Sequence, residues 1–163
     1  MVKDILSISG HGGLFKYLKK SRNGIIVEHL ETGKRMNADA TARVNALEDI
    51  SVYTVDGDIP LKDIFKAISD KEDGGPSLNP KKASSNELRE YFEAIAPEYD
   101  DERVYVSDIK KILKWYNTLQ KLDMLNFEEE EEKQNENEEN AEGQSGSEAG
   151  AENENNASQS EEE

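Results

Sequence analysis

Short strand-like segments, most of them rich in apolar residues and separated by turns, occupy much of the first 55 positions of the chain, a pattern typical of small β-proteins. The runs span residues 5–9, 14–18, 25–30, 34–38 and 50–55. Most of them are rich in the β-branched and aromatic residues that strands favour. Strands this short, mostly joined by tight turns, predict a small closed or half-closed antiparallel barrel, with an SH3-like barrel as the nearest common type.

The pattern is less regular between the fourth and fifth runs, over residues 40–48. Ala40, Val44 and Leu47 lie close to the spacing of one helical face. We therefore expect a short helix in this interval.

Helical periodicity takes over after residue 59. Pro60 suits the first position of a helix, and the apolar residues that follow repeat at i, i+3, i+4 and i+7, which predicts a helix over residues 60–71. Ser84 and Glu87 match a capping box and predict a second helix over 84–96. A third is expected over 107–122, with Ser107 as its N-cap and one apolar stripe that includes Leu113 and Tyr116.

These elements predict an α+β protein in four parts. We expect a barrel-like domain with a terminal helix over 1–71, a Gly/Pro linker over 72–83, a helical hairpin over 84–126 and a tail over 127–163. The hairpin alone is too small for a stable core, so it must dock on the barrel or pair with another chain.

Charge separates the tail from the rest of the chain. The whole sequence holds 20 Lys and Arg against 36 Asp and Glu, a net charge of −16. Residues 128–163 contain 15 Glu and one Lys, which is −14, and residues 1–127 carry the remaining −2. Residues 128–163 lack aromatic and branched apolar residues, so we expect the tail to be disordered, either as a solubilising segment or as a cover for a basic patch.

Several classes of protein are disfavoured. No apolar run approaches the ~20 residues of a membrane-spanning helix, and the first residues do not resemble a secretory signal. The sequence contains no cysteine, which removes disulfides, thiolate metal ligands and cysteine nucleophiles. We expect a cytoplasmic protein.

Five segments resemble a known family. LSISG, GLFKYL, NGIIVEHLETGKR, ALEDISVYTVDGDIPL and RVYVSDIKKILKWYNTL look like small Bacteroidetes proteins catalogued as a domain of unknown function, followed by a separately catalogued helical domain. The resemblance covers about residues 3–122 and implies a bacterial, cytosolic protein of two parts with no known activity. The family commonly has Lys-Pro where this chain has His11-Gly12, which argues against a catalytic role for His11.

Organised reactive chemistry is not evident in the chain. The glycine-rich segment 10–13 has neither the spacing of a dinucleotide loop nor the Lys-Ser/Thr of a P-loop, so a glycine turn is expected. His11 and His29 are too few for a zinc site without carboxylates, and the acidic run 100–102 does not match a calcium loop. We therefore expect no catalytic residue, metal or cofactor, and no enzymatic activity.

Two basic groups with neighbouring aromatic residues are the candidate ligand-binding positions. The first lies on the predicted hairpins and the second on the last helix. The candidates are Lys16, Tyr17, Lys19, Lys20, Arg22, Lys34, Arg35, Lys110 and Lys114. Lysines on strand edges also prevent aggregation, and lysines on a helix commonly face solvent, so both groups have a purely structural alternative.

The leading functional expectation is a non-enzymatic adaptor that binds another protein. The alternative is an RNA- or DNA-binding module in which the acidic tail competes with the nucleic acid for the basic residues. We expect no membrane partner.

Overall fold

The computed structural model describes residues 3–127, so the tail prediction lies outside the described residues apart from Phe127. Seven strands precede three helices. The elements are β1 (Ile5–Ile8), β2 (Phe15–Ser21), β3 (Gly24–His29), β4 (Arg35–Asp39), β5 (Val44–Ala46), a 3₁₀ turn (Leu47–Asp49), β6 (Ser51–Tyr53), β7 (Asp58–Pro60), α1 (Leu61–Lys71), α2 (Ser85–Glu93) and α3 (Val106–Lys121). The α+β class is confirmed.

Five strands form one antiparallel sheet in the order β4-β3-β2-β1-β5. Of the expected closed or half-closed barrel, the closed form is wrong: within the described residues β4 and β5 remain two separate edges of one sheet. The strand that follows in sequence, β6, leaves this sheet and pairs with β7 in a hairpin of its own. No strand is therefore left to join the two edges.

The predicted helix over 40–48 is also wrong, because its centre is β5. Val44 and Ala46 pair with Ile8 and Leu6 of β1, respectively, and both contact a cluster of buried apolar residues on one sheet face. The alternation of Val44, Asn45 and Ala46 is a strand period of two. Ala40, Val44 and Leu47 also fit a helical spacing, and the pairing with β1 decides in favour of the strand.

The three longer helices appear where their periodicity predicts them. Ser84 and Glu87 form the expected capping box, with the Ser84 backbone N–H donating to the Glu87 carboxylate at 2.8 Å. The start of α3 differs by two residues: Tyr105, not Ser107, is the N-cap. The Asp108 carboxylate accepts a hydrogen bond from the Tyr105 N–H at 3.2 Å, which satisfies an otherwise unpaired donor at the helix start.

Two hydrophobic clusters lie in the described residues. The larger one joins β1, β6 and all three helices, and Leu113 and Tyr116 of α3 are fully buried in it, as predicted. The smaller one contains five buried residues on one face of the sheet, with Phe15 and Val27 near its centre. The helices thus share one core with part of the sheet, within a compact unit that ends at Phe127.

The predicted linker is non-helical, but it is fastened along α3. The Gly75 carbonyl accepts a hydrogen bond from the Tyr116 hydroxyl at 2.9 Å. The Asn117 side-chain oxygen accepts from both the backbone N–H and the hydroxyl of Ser77, at 2.7 and 3.1 Å. We call residues 74–78 the strap, because these bonds hold the segment to one side of the helix.

Among residues 3–127, every helix is too short or too polar to traverse a lipid bilayer.

Candidate functional site: a basic groove along the last helix

The basic residues of the hairpins do not converge. Lys19 lies opposite Ile26 and Lys20 opposite Ile25, and neighbouring strand residues point to opposite faces of a sheet. Arg22 lies at one end of β3 and Lys34 beyond the other, which separates them by about 17 Å of strand. A ligand role for these residues stays a prediction, and the sheet does not gather them into one patch.

An acidic residue lies among the basic residues of the hairpins. Glu28 on β3 is the cross-strand neighbour of both Lys16 and Arg35, and its carboxylate accepts a bond of 2.7 Å from Arg35 Nε. Tyr17 pairs with Val27 and is 36% exposed. Two of the predicted cations therefore lie beside a carboxylate that reduces their local charge.

The second basic group has a different environment, because part of it lines a groove along α3. The groove consists of three adjoining sections that run beside this helix for about 20 Å, the rise from Asp108 to Lys121. Lys114 lines the middle and far sections, as a ligand role would require. Lys110 is exposed and lies outside all three sections.

Sequence reasoning missed Lys111 and Trp115 as site residues. Both line the near and middle sections, and their separation of four residues places them on one face of α3. Trp115 is half-buried, and it packs against the larger cluster. The sequence signal that could have identified them is the spacing of four residues between a lysine and the chain's single tryptophan.

The near section lies between α3 and a strand edge, and it encloses about 270 Å³. The Leu61 N–H donates to the Ile50 carbonyl at 2.8 Å, and the Thr54 N–H donates to the Gly57 carbonyl at 2.7 Å. Alternate residues of an antiparallel strand direct their backbone groups to the same neighbour. Ser51 and Tyr53 must therefore direct theirs away from β7.

This outer edge of β6 is largely unpaired. The Tyr53 carbonyl accepts a hydrogen bond from the Asp100 N–H at 3.0 Å. The Ser51 N–H and carbonyl and the Tyr53 N–H have no partner in the part of the chain that the structure describes. Both residues line the near section, so a strip of backbone donors and acceptors faces the groove.

Arg103 fixes the mouth of the near section. Its Nε donates to the Asp100 carboxylate at 2.6 Å, and its guanidinium carbon lies 4.4 Å from the centre of the Tyr53 ring. The hydrogen bond from Arg103 lowers the pKa of Asp100, and the same bond raises the pKa of Arg103. Tyr53 is 47% exposed, so an aromatic face with a cation above it stands at the surface.

The middle section is the largest and encloses about 620 Å³. The glycine turn 10–13, the strand residues Ser7 and Asn45, and α3 all line it. The Lys114 ammonium lies 4.0 Å from the point that a Cβ on Gly12 would occupy. The last helix therefore lies directly across from the glycine turn.

The fold requires glycine at position 13 of this turn. Its φ is +89°, and a Cβ there would lie 2.4 Å from Nε2 of His29. The same Nε2 lies 3.2 Å from the Gly12 carbonyl, while Nδ1 accepts from the N–H groups of Glu31 and Thr32 at 3.2 and 3.3 Å. His29 is thus used on both ring nitrogens to hold two loops together, and only glycine fits beneath it.

The far section encloses about 340 Å³ beside residues 79–81, which follow the strap. Lys81, Lys114 and Lys121 contribute cations to its lining, and Glu31 contributes a carboxylate. Asn117 also lines it while holding Ser77. Residues 79–81, which follow the strap, therefore border the groove.

Positive charge predominates over the groove as a whole. Five cationic side chains line it: Lys81, Arg103, Lys111, Lys114 and Lys121. The carboxylates are Glu31 and Asp108, and Asp108 accepts a bond of 3.3 Å from Lys111. Asp100, outside the lining, also pairs with Arg103. The lining still has more cations than carboxylates, within a body whose formal charge over residues 1–127 is −2.

Shifted pKa values elsewhere have structural causes. Burial, followed by the hydrogen bond to Glu72, raises the pKa of Tyr91, and burial raises the pKa of Tyr116. The Ser84 backbone and hydroxyl lower the pKa of Glu87 in the capping box. Within residues 3–127, no three His, Asp or Glu side chains cluster as metal ligands would.

Two family models match the chain in sequence order. Residues 2–47 match a domain of unknown function, DUF5606, and residues 50–119 match a second domain of unknown function, DUF6852. The boundary between them falls at the 3₁₀ turn, so β6 and β7 fall with the helices. The near section lies within the second match, and the middle section takes residues from both.

A solved structure supports this assignment. The chain is 43% identical to a protein from Bacteroides vulgatus whose solution NMR structure was determined by the Northeast Structural Genomics Consortium. The match covers 74% of this chain and 86% of that one, with a TM-score of 0.62. Comparison with curated proteins finds no match. The identity and coverage, together with the two domain matches, show that the chain belongs to the family formed by these two domains of unknown function.

Proposed function

We propose that this protein is a non-enzymatic binding module that holds an extended, acidic segment of a partner protein in the groove along α3. The observation that carries the proposal is the unpaired outer edge of β6, which faces a helix across a groove. Strand addition next to a helix is a recurrent way of binding peptides, because the main chain supplies affinity and side-chain pockets supply specificity.

The geometry of β6 supports a short main-chain ladder. Ser51 offers a donor and an acceptor, and Tyr53 offers a donor. The side chains of Val104, Ile112 and Trp115 line the same section, so alternate side chains of an added strand would meet apolar surface. The remaining contacts would come from the cations farther along α3.

Charge supports an acidic partner. Lys111, Lys114 and Lys121 follow one another along the groove over about 15 Å of helix. Opposite charges at the edge of an interface steer association and suppress unsuitable partners. A peptide with Asp or Glu beyond its strand-forming residues therefore fits better than a neutral or basic one.

The non-enzymatic character is part of the proposal. The pKa shifts of Asp100, Tyr91 and Tyr116 come from hydrogen bonds or burial that hold the fold together. His29 has both ring nitrogens within hydrogen-bonding distance of backbone groups. These groups thus serve the structure and do not form a nucleophile and base pair.

Selection of random dodecapeptides on the full-length chain tests the proposal. We expect acidic peptides with alternating apolar residues, and we expect Lys111→Glu to weaken their binding by about tenfold or more, as loss of a charged contact does. Lys110→Glu is the matched control, because it changes the same charge on an exposed position outside the groove.

Backbone chemistry distinguishes strand addition from simple charge attraction. Two versions of a selected peptide are compared, one N-methylated at the odd-numbered amides and one at the even-numbered amides. Methylation of the amides that face β6 should abolish binding, and methylation of the amides that face away should leave it unchanged. Equal binding of both methylated peptides, or of the Lys110 and Lys111 variants, would contradict the proposed mode.

Nucleic acid is the second candidate, favoured by Trp115 among the lysines of the groove. Single-stranded nucleic acid is bound by cations along its backbone and by aromatic rings that stack on bases. The tail, at −14, would compete by charge. At low salt, residues 1–127, which contain both hydrophobic clusters, should then bind labelled RNA or DNA more tightly than the full chain. Negligible binding by both removes this candidate.

A further inference from the structure

The middle section of the groove differs from its two neighbours in charge. Lys111 and Lys114 line it together with His11, and none of its lining residues in the described part of the chain is Asp or Glu. The near section has Asp108 and the far section has Glu31. A cavity with cations and no carboxylate has the charge character of an anion site.

Most donors of this cavity are free for a ligand, whereas the Lys111 ammonium also donates to Asp108 at 3.3 Å. Lys114 forms no ion pair within residues 3–127, and its ammonium lies over Gly12. The N–H groups of Gly12 and Gly13 have no acceptor in the same range. Ser7, Ser9 and Asn45 add two hydroxyls and an amide.

We propose that this cavity binds the phosphate group of an organic phosphate. A phosphate monoester carries about −1.5 to −2 charges and three strong acceptor oxygens, which two ammonium groups and several neutral donors match. Its oxygens would meet Lys114 and the glycine turn. A carboxylate has two oxygens and one charge, so it would leave part of this donor set unused.

Trp115 and the size of the cavity indicate where the organic part would lie. The volume of about 620 Å³ is within the range of small-molecule sites, about 300–1,000 Å³, and exceeds the need of an inorganic ion. The half-buried Trp115 lines the same cavity and offers an apolar surface next to the phosphate position. The ligand is therefore either a free organic phosphate or a phosphorylated side chain of a partner.

This site goes beyond the proposed peptide groove and does not rest on it. Strand addition requires the edge of β6, whereas the phosphate site requires Lys114 and residues 10–13. Each can fail without the other.

Trp115 is the chain's single tryptophan, so its fluorescence reports on the cavity directly. The full-length protein is titrated at constant low ionic strength with sodium phosphate, AMP, and a phosphoserine peptide beside its unphosphorylated form. We expect a saturable change with phosphate and with at least one organic phosphate. Amide signals of Gly12 and Gly13 should shift in ¹⁵N NMR spectra over the same concentrations.

Variants decide whether the binding belongs to this cavity. Lys114→Ala should weaken binding by about tenfold or more, and Lys110→Ala, its matched control on the same helix, should leave it unchanged. Binding of AMP alone identifies a free organic phosphate, and binding of the phosphopeptide alone identifies a modified partner. The proposal is overturned if no probe gives a saturable change, if chloride gives the same change, or if Lys114→Ala binds like the wild type.

Discussion

The ribbon formed by β2, β3 and β4 and the helix α3 are both rich in lysine, yet only the helix brings three of its four lysines to one groove. On the ribbon, Lys19 and Lys20 are adjacent in sequence and point to opposite faces. On α3, Lys111 and Lys114 are three residues apart and line one cavity. The difference shows that cations close together in a sequence share one surface only where the period of the element matches their spacing.

The two regions also differ in how firmly they are held. α3 is buried along Ile109, Leu113 and Tyr116 in the larger cluster, and the strap is bonded to it. The ribbon packs one face on a cluster of five buried residues. Because the core and the strap fix α3, the backbone positions of its lysines are well defined. The lysines of the ribbon lie on a more exposed backbone.

The largest expected effect comes from removing a core contact of α3. Leu113→Ala should lower the free energy of unfolding by about 2–5 kcal/mol, the usual range for a buried leucine. Val27→Ala, in the smaller cluster, should cost about 1.5–3 kcal/mol. Urea unfolding of both variants measures the difference. A larger loss for Val27→Ala would reverse the comparison between the regions.

The next effect tests the strap. Asn117→Ala removes the acceptor of two hydrogen bonds from Ser77, which is 8% exposed. Leaving a buried donor unsatisfied costs about 1–3 kcal/mol, so we expect a loss of that size in the free energy of unfolding.

Gln120→Ala is the control for the strap. Its side chain donates to Gly74 at the exposed end of the same segment, and its loss should change stability by about 0.5 kcal/mol or less. Equal effects of the two substitutions would show that the Asn117 contacts do not hold the strap.

A smaller effect is expected on the ribbon. Arg35→Ala breaks the ion pair with Glu28. The Arg35 side chain is 70% exposed and the Glu28 side chain is 31% exposed. Exposed pairs of this kind contribute about 0–1 kcal/mol. We therefore expect the substitution to decrease the free energy of unfolding by an amount in that range at low salt. Added salt should shrink the difference from the wild type. A loss that persists at high salt would indicate a contact other than charge.

The smallest effect concerns acid pH in the turn that precedes α3. The pKa of Asp100 is lowered from its ordinary value of 3.8 by Arg103, so protonation favours the unfolded state. Its contribution is complete above that value and is lost as the pH falls through the lower folded pKa.

Asp100→Asn isolates this charge, because an amide oxygen can still accept from the backbone N–H groups of Glu102 and Arg103. The stability difference between wild type and variant should therefore shrink as the pH falls below 3.8, measured by thermal unfolding at several pH values. A difference that stays constant would show that the charge on Asp100 does not contribute.

Local sequence signals were sufficient for much of the fold. The helices of 61–71 and 85–93 begin where Pro60 and the Ser84–Glu87 capping box predict them. A tight turn at residues 22–23 joins β2 and β3, because Ser21 pairs with Gly24. These features depend on residues within one or two turns of each other, so local sequence contains the information.

The candidate site was only partly predictable. Lys114 was predicted and lines the groove, whereas Lys110 was predicted and lies outside it. Both have the same residue type on the same helix, and the difference depends on which face of α3 meets the glycine turn. That face is set by packing of the whole helix, which no short segment encodes.

The sequence by itself determined the α+β class, the three helices, the burial of Leu113 and Tyr116, and the concentration of acidic residues beyond position 127, because periodicity and composition are local properties. Only the tertiary structure decided that the sheet stays open, that residues 44–46 form its edge strand, and that the lysines of α3 line a groove with the glycine turn. Each of these depends on contacts between residues far apart in sequence, such as Lys114 with Gly12 and Ala46 with Leu6. Such pairings are selected by the packing of the complete core.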